Sequence, residues 1–104
     1  MNKQLETALR LYEMMRDKQN KIDEIFGVND SLGYEIDEVM NLICTIADIP
    51  EDNTVEMGDK YGDINLFSHP DVYCRDWVYS DLDDFYDKKI SFKKIINLLT
   101  KQNN

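Results

Sequence analysis

The first 26 residues carry an apolar repeat that constrains the fold more than any other feature of this sequence. Two sets of residues spaced by seven interleave along it: Leu5, Tyr12, Gln19 and Phe26, and Met1, Ala8, Met15 and Ile22. Such spacing places one stripe of side chains along a single face of an α-helix. Gly27 follows, and glycine readily adopts the positive φ that ends many helices. The pattern predicts a helix over residues 3–26.

A second helix is predicted soon after the first. Its apolar residues also recur on one face: Leu32, Ile36, Val39, Met40, Ile43, Ile46 and Ala47. Asn29, Asp30 and Ser31 precede them and are residue types that accept hydrogen bonds from the free N–H groups at a helix start. Pro50 predicts an end near Asp48, because proline cannot continue a helix. The short link makes the two helices antiparallel neighbours.

The helical period is lost between residues 51 and 68. Two β-favouring runs, 54–57 and 64–67, flank the sequence GDKYGD, which is compatible with either a short hairpin or an irregular loop. Pro70 suits the first position of a third helix, predicted over residues 70–87, with an inward face formed by Cys74, Val78, Leu82 and Phe85. Ser91 is expected to cap a last helix whose inward residues are Phe92, Ile95, Ile96 and Leu99. The predicted fold is mainly α, a small bundle of about four helices with a loop or hairpin between helices 2 and 3.

Acidic side chains are unevenly distributed along the 104 residues, a length that suits one domain. Residues 1–30 carry five basic and six acidic side chains, and residues 88–104 carry five lysines and no acid. Between them, residues 31–87 carry fifteen acids and two basic residues. A dense negative field repels nucleic acids and anionic lipid heads. We therefore expect a single acidic domain, residues 1–104, that binds a basic protein surface rather than nucleic acid or membrane.

The sequence also indicates a compartment. No run of about 20 apolar residues predicts a membrane span, and the N-terminus lacks the uninterrupted apolar block of a signal peptide. Cys44 and Cys74 are too few for a disulfide framework, so both thiols are expected to be reduced. These features predict a cytoplasmic protein.

No pattern predicts a catalytic centre. Ser68, His69 and Asp71 are the residue types of a hydrolase triad, but triad members converge from separate parts of a fold. A helix-cap role is favoured for these neighbours. Glu35 and Glu38 lie one helical turn apart, and the helix dipole already explains their place near the start of helix 2.

Metal ligation is not favoured either. The ligand positions of an EF-hand loop are unmatched around Gly58 and Gly62, and zinc requires more His and Cys than the chain contains. The aspartates at positions 81–87 would hold a hard cation only weakly, because a helix directs such carboxylates outward. No metal and no cofactor are expected.

The aspartates of the third helix are the most informative feature. Helical spacing places four of them on its outer surface, and carboxylates one turn apart are about 6 Å from each other, close to the spacing of successive phosphates. Aromatic side chains flank the predicted core stripe, and exposed Tyr and Trp are frequent interface anchors. The predicted partner-binding residues are Asp76, Asp81 (at the edge of the surface), Asp83, Asp84, Asp87, Tyr73, Trp77, Tyr79 and Tyr61.

The leading hypothesis is a non-enzymatic module that occupies a basic surface of a nuclease or another nucleic-acid-binding protein. A DNA mimic, an anti-defence factor or a toxin-immunity protein of phages and mobile elements would act in this way. Ion pairs between Lys88–Lys94 and the aspartates at 81–87 would reduce the available field. One alternative is a self-associating structural or regulatory protein, a homodimer through helix 1, since its stripe has coiled-coil spacing and Leu11 and Met14 lie off it. A small metal-dependent or hydrolytic enzyme is the other.

Overall fold

Four helices form one bundle in the computed structural model, which describes residues 3–49 and 73–101. The helices are α1 (Lys3–Phe26), α2 (Gly33–Ile46), α3 (Arg75–Tyr86) and α4 (Phe92–Lys101). The predicted mainly α bundle is thereby confirmed. The hairpin considered at 54–57 and 64–67, and with it Tyr61, lies outside the described residues.

The core lies where the apolar stripe of α1 meets the inner faces of the other helices. Its buried residues are Leu5, Ala8, Leu9 and Tyr12 from α1, Val39, Ile43 and Cys44 from α2, Ala47 and Ile49 after α2, Val78, Leu82 and Phe85 from α3, and Ile95 and Leu99 from α4. Full burial of one such aliphatic side chain stabilises the fold by about 1.5–3 kcal/mol. Leu5, Ala8 and Tyr12 of the predicted stripe are therefore buried within the chain, whereas Phe26, at the end of the stripe, is 78% exposed.

The first helix ends as predicted, but the second does not begin as predicted. Gly27 has a φ of +88°, and its N–H donates to the Asp23 carbonyl at 2.9 Å. Leu32 is the N-cap residue of α2, and its side chain makes no hydrogen bond to the free N–H groups at the start of the helix. The N-cap predicted among residues 29–31 is therefore wrong. Asn29 Oδ1 instead accepts the N–H of Ser31 at 2.9 Å, which shapes the loop itself.

Gln19 holds the α1–α2 link from within the helix. Its Oε1 accepts the N–H of Leu32 at 2.7 Å, and its Nε2 donates to the Asn29 carbonyl at 2.8 Å and to Asp23 Oδ1 at 2.9 Å. These bonds explain why an amide stands in an otherwise apolar stripe. They also fix α1 and α2 as antiparallel neighbours.

Replacing Gln19 with alanine is expected to lower the free energy of unfolding by about 1–3 kcal/mol, because the backbone groups it serves lose their partners. Urea unfolding gives this value, and hydrogen exchange at the Leu32 amide should quicken. Gln4→Ala is the matched control, since Gln4 is an exposed residue of the same helix. Equal stability of the two variants would contradict this role for Gln19.

The third helix begins later than predicted. The sequence indicated a start near Pro70, but Cys74 has extended backbone geometry, with φ −115° and ψ 178°, and α3 begins at Arg75. The Cys74 side chain is only 2% exposed, so the chain brings it into the core before the helix starts. Tyr73 consequently lies before α3 rather than on it. At the last helix the prediction is confirmed, since Ser91 Oγ accepts the Lys94 N–H at 3.0 Å.

Candidate partner-binding surface

The outer side of α3 carries an exposed stripe of carboxylates. Asp76, Asp83 and Asp87 are all exposed, and their spacing by seven and four residues places them along one side of the helix. Asp84 and Trp77 lie on the adjoining side, half-buried and exposed respectively. These five residues are called the α3 surface below.

Asp83 is anchored to the first helix. Arg16 Nη1 lies 2.7 Å from Asp83 Oδ1, and the same nitrogen donates to the Tyr12 hydroxyl at 2.6 Å. Burial raises the pKa of Tyr12, so its hydroxyl stays protonated. The Asp83 side chain is nevertheless 62% exposed. This carboxylate therefore faces solvent in a fixed position while joining α3 to α1.

Asp81 and Asp84 are less available. The Tyr73 hydroxyl donates a short hydrogen bond to Asp81 Oδ2, and burial together with this bond raises the pKa of Tyr73. Asp84 Oδ1 lies 3.9 Å from Lys89 Nζ, a separation at which an exposed ion pair contributes little. Both aspartates are half-buried, so Asp81 only borders the α3 surface, and Asp84, within it, adds less to its field than the exposed Asp76 and Asp87.

The predicted aromatic anchors differ in exposure. Trp77 is 44% exposed and meets the ring of Tyr73 edge to face, with 6.1 Å between the ring centroids. Tyr79 is half-buried, and its hydroxyl donates to Asn41 Oδ1 of α2 at 2.8 Å. Tyr79 thus ties α3 to α2, and Trp77 remains as the exposed ring of the α3 surface.

The lysines after α3 neutralise the surface only in part. Lys88 Nζ lies 3.3 Å from Glu13 Oε2 on α1, so it pairs outside the α3 surface. Among residues 3–49 and 73–101, Lys93 and Lys94 form no ion pair, and neither do Asp76 and Asp87. The exposed carboxylates of Asp76 and Asp87 therefore keep their charge free of an ion-pair partner in that part of the chain.

Two residues of α1 belong to this region and were missed by the sequence analysis. Arg16 pairs with Asp83 as described, and Asp17 Oδ1 accepts the Tyr86 hydroxyl at 2.6 Å. Burial and this bond raise the pKa of Tyr86 to about 12. Arg16 and Asp17 lie off the apolar stripe of α1, and this position predicts only that a side chain is exposed to solvent. Nothing in the sequence indicated that this part of α1 borders α3.

The groups that most often bind metals or act as nucleophiles were located among the described residues. Within residues 3–49 and 73–101, no three His, Cys, Asp or Glu side chains are grouped closely enough to hold a metal ion. Cys44 and Cys74 are free and buried, and burial raises the pKa of Cys44 to about 11. A protonated, buried thiol is a poor nucleophile. The candidate triad Ser68, His69 and Asp71 lies outside the described residues.

None of the four helices described combines the length and the apolar composition that crossing a membrane requires. No protein-family model matches the sequence, and comparisons with curated proteins and with solved structures found no match. Inferences about function therefore depend on the α3 surface and on the remaining exposed faces of the helices.

Proposed function

We propose that this protein is a non-enzymatic binding module whose α3 surface occupies a basic surface of a protein partner. In the most specific form of the proposal, the basic surface is the groove in which a nuclease or another nucleic-acid-binding protein holds its substrate. The observation that carries the proposal is the exposed stripe of Asp76, Asp83 and Asp87 beside the half-exposed Trp77.

The geometry of the stripe suits a partner that binds phosphates. Asp83 and Asp87 are one helical turn apart, about 6 Å between their Cβ atoms, and Asp76 extends the row by about 10 Å along the axis. Arginine and lysine side chains that bind phosphates also bind carboxylates. The ion pair with Arg16 holds Asp83 in one position, which lowers the entropy cost of binding.

The local charge supports the same partner class. Asp17, Asp76, Asp83, Asp84 and Asp87 stand against Arg16 and Lys89, which leaves three net negative charges in this region. Electrostatic complementarity between two proteins accelerates their association, and added salt reduces this effect. Trp77 adds an apolar anchor of the kind that dominates many interfaces. In this arrangement the carboxylates align the partner on the α3 surface, and the Trp77 ring supplies affinity.

Removing charge from the stripe is expected to weaken binding. Asp76→Asn/Asp87→Asn takes away two carboxylates that pair with no described residue. The immobilised protein is incubated with host lysate, and bound proteins are eluted with a short DNA duplex. We expect a specific protein to be captured and released by the duplex, and the double variant to retain it about tenfold less, since each exposed charge contact contributes roughly 0.2–1 kcal/mol.

The control is Glu6→Gln/Glu24→Gln, which removes the same charge from exposed positions on α1. This variant should capture the partner as well as the unchanged protein does. Failure to capture any protein would contradict the proposal. Capture that withstands both the DNA duplex and high salt would do so as well.

A further inference from the structure

A second surface lies on the opposite side of the α1–α2 pair and has a different character. A groove of about 510 Å³ runs between the two helices, lined mainly by Thr7, Ala8, Leu11, Leu42 and Ile46. Leu11 is 38% and Leu42 is 46% exposed. Exposed leucines bordering one groove form the kind of apolar patch that marks an interaction site.

Charges of opposite sign lie along the two edges of this groove. On α1, helical spacing aligns the exposed Lys18 and Lys21 with Leu11, Met14 and Ile25 in one stripe. On α2, the exposed Glu35 and Glu38 continue the row of Leu42. None of these four charged side chains forms an ion pair with any residue in the described ranges. The face therefore consists of a basic helix edge, an apolar groove and an acidic helix edge.

The antiparallel register places these charges at matching heights. Leu11 and Leu42 line the same stretch of the groove, and Gln19 reaches Leu32 at 2.7 Å. Positions nearer the C-terminus of α1 therefore lie level with positions nearer the N-terminus of α2. Lys18 and Glu35 consequently lie at about the same level along the pair.

We propose that this face binds a second copy of the chain. A two-fold rotation about an axis parallel to the helices places α1 of one copy over α2 of the other. Lys18 of one copy then faces Glu35 of the other, and Leu11 faces Leu42, each contact occurring twice by symmetry. The alternative rotation, about an axis across the helices, stacks α1 on α1 and opposes like charges. The charge pattern thus selects one dimer, in which four helices form an antiparallel bundle.

The size of the face indicates the class of interface that it can form. A helix of 14 residues, the length of α2, is about 21 Å long, and two neighbouring helices are about 20 Å wide. Two such faces bury on the order of 1,000 Å², the lower limit for a specific interface. Interfaces at this limit include weak, transient complexes, so we expect a reversible dimer that forms at micromolar or higher concentrations.

Sedimentation velocity over a concentration series tests the proposal. The unchanged protein should shift from monomer to dimer as its concentration rises from about 1 to several hundred micromolar. Lys18→Glu and Glu35→Lys should each raise the dimer dissociation constant about tenfold, because two attractive contacts become repulsive. Higher salt should weaken the unchanged dimer. Far-UV circular dichroism verifies that each variant keeps its helix content.

Mixing the two variants gives the decisive result. A chain with Lys18→Glu and a chain with Glu35→Lys regain complementary charges at both symmetric contacts, so an equimolar mixture should form a heterodimer about as tightly as the unchanged protein dimerises. The double variant in one chain should dimerise again as well. Lys93→Glu and Glu6→Lys, exposed positions off this face, are the matched charge reversals and should leave dimerisation unchanged.

Four outcomes would overturn the proposal. The first is a protein that remains monomeric at several hundred micromolar. The second is a dimer that Lys18→Glu and Glu35→Lys leave intact, which would place the contact elsewhere. The third is a mixture of the two variants that stays monomeric. The fourth is a dimer of Lys18→Glu with the unchanged chain that is tighter than either homodimer, since only stacking of α1 on α1 predicts that result.

Discussion

Replacing Leu82 with alanine is expected to lower the free energy of unfolding by about 2–5 kcal/mol. Leu82 is 0% exposed and lies in the middle of α3, where it packs within the common core of the four helices. Truncation removes apolar contacts and leaves a cavity that the helices fill only partly. Because a domain of this size is stable by only about 5–15 kcal/mol, the variant should be partly unfolded at elevated temperature.

Leu11→Ala is the matched control, because it removes the same atoms from a side chain that is 38% exposed. Its effect should stay below about 1 kcal/mol. Urea unfolding at sub-micromolar concentration gives both values without a contribution from self-association. Similar losses for the two variants would mean that α3 is not packed on the core as the structure has it.

Raising the pH from 8 to above 11 is expected to destabilise the fold strongly. Burial raises the pKa of Cys44 to about 11 and, together with a hydrogen bond to Asp17, that of Tyr86 to about 12. The pKa values of Tyr12 and Tyr73 are raised as well, chiefly by burial. In the unfolded chain these groups lose their protons near pH 9 for the thiol and pH 10 for the phenols. Between the two sets of values the unfolded state binds fewer protons than the folded state, so stability falls as pH rises.

The stabilisation from these groups is complete below about pH 8.5 and is lost progressively towards pH 12. Cys44 alone accounts for roughly 2–3 kcal/mol of the loss, since its pKa is raised from 9.0 to about 11 and one pKa unit corresponds to about 1.4 kcal/mol. Urea unfolding at pH 8, 10 and 11 measures the loss, and Tyr absorbance reports when the phenols ionise. Cys44→Ala should flatten the dependence between pH 9 and 11. Equal stability at pH 8 and pH 11 would contradict the burial of these groups.

The two proposals use opposite sides of the α1–α2 pair and are separable by experiment. Asp76 and Asp87 lie on the α3 surface, whereas Lys18 and Glu35 lie on the edges of the groove between α1 and α2. The Asp76→Asn/Asp87→Asn variant should therefore dimerise normally, and the charge reversals of the groove should leave capture of a basic partner unchanged. A dimer would present two α3 surfaces, which raises avidity for a partner with two basic sites.

Local patterns were sufficient to predict most of the helices. The bounds of α1 follow from a seven-residue apolar repeat and from Gly27, and the start of α4 follows from Ser91. The start of α3 did not follow in the same way. Pro70 is a genuine local signal for a helix start, yet α3 begins only after Cys74, whose side chain enters the core. Tertiary burial decided that boundary.

The sequence by itself determined the composition of the α3 surface, because helical spacing alone places Asp76, Asp83 and Asp87 on one side of a helix. Only the tertiary structure decided which charges remain unpaired. The ion pair between Arg16 and Asp83 joins residues 67 positions apart, and the Tyr86 hydroxyl reaches Asp17 across a similar separation. Periodicity is a property of a single helix, whereas pairing depends on how far each helix is rotated against its neighbours, and that rotation is set by packing of the whole core.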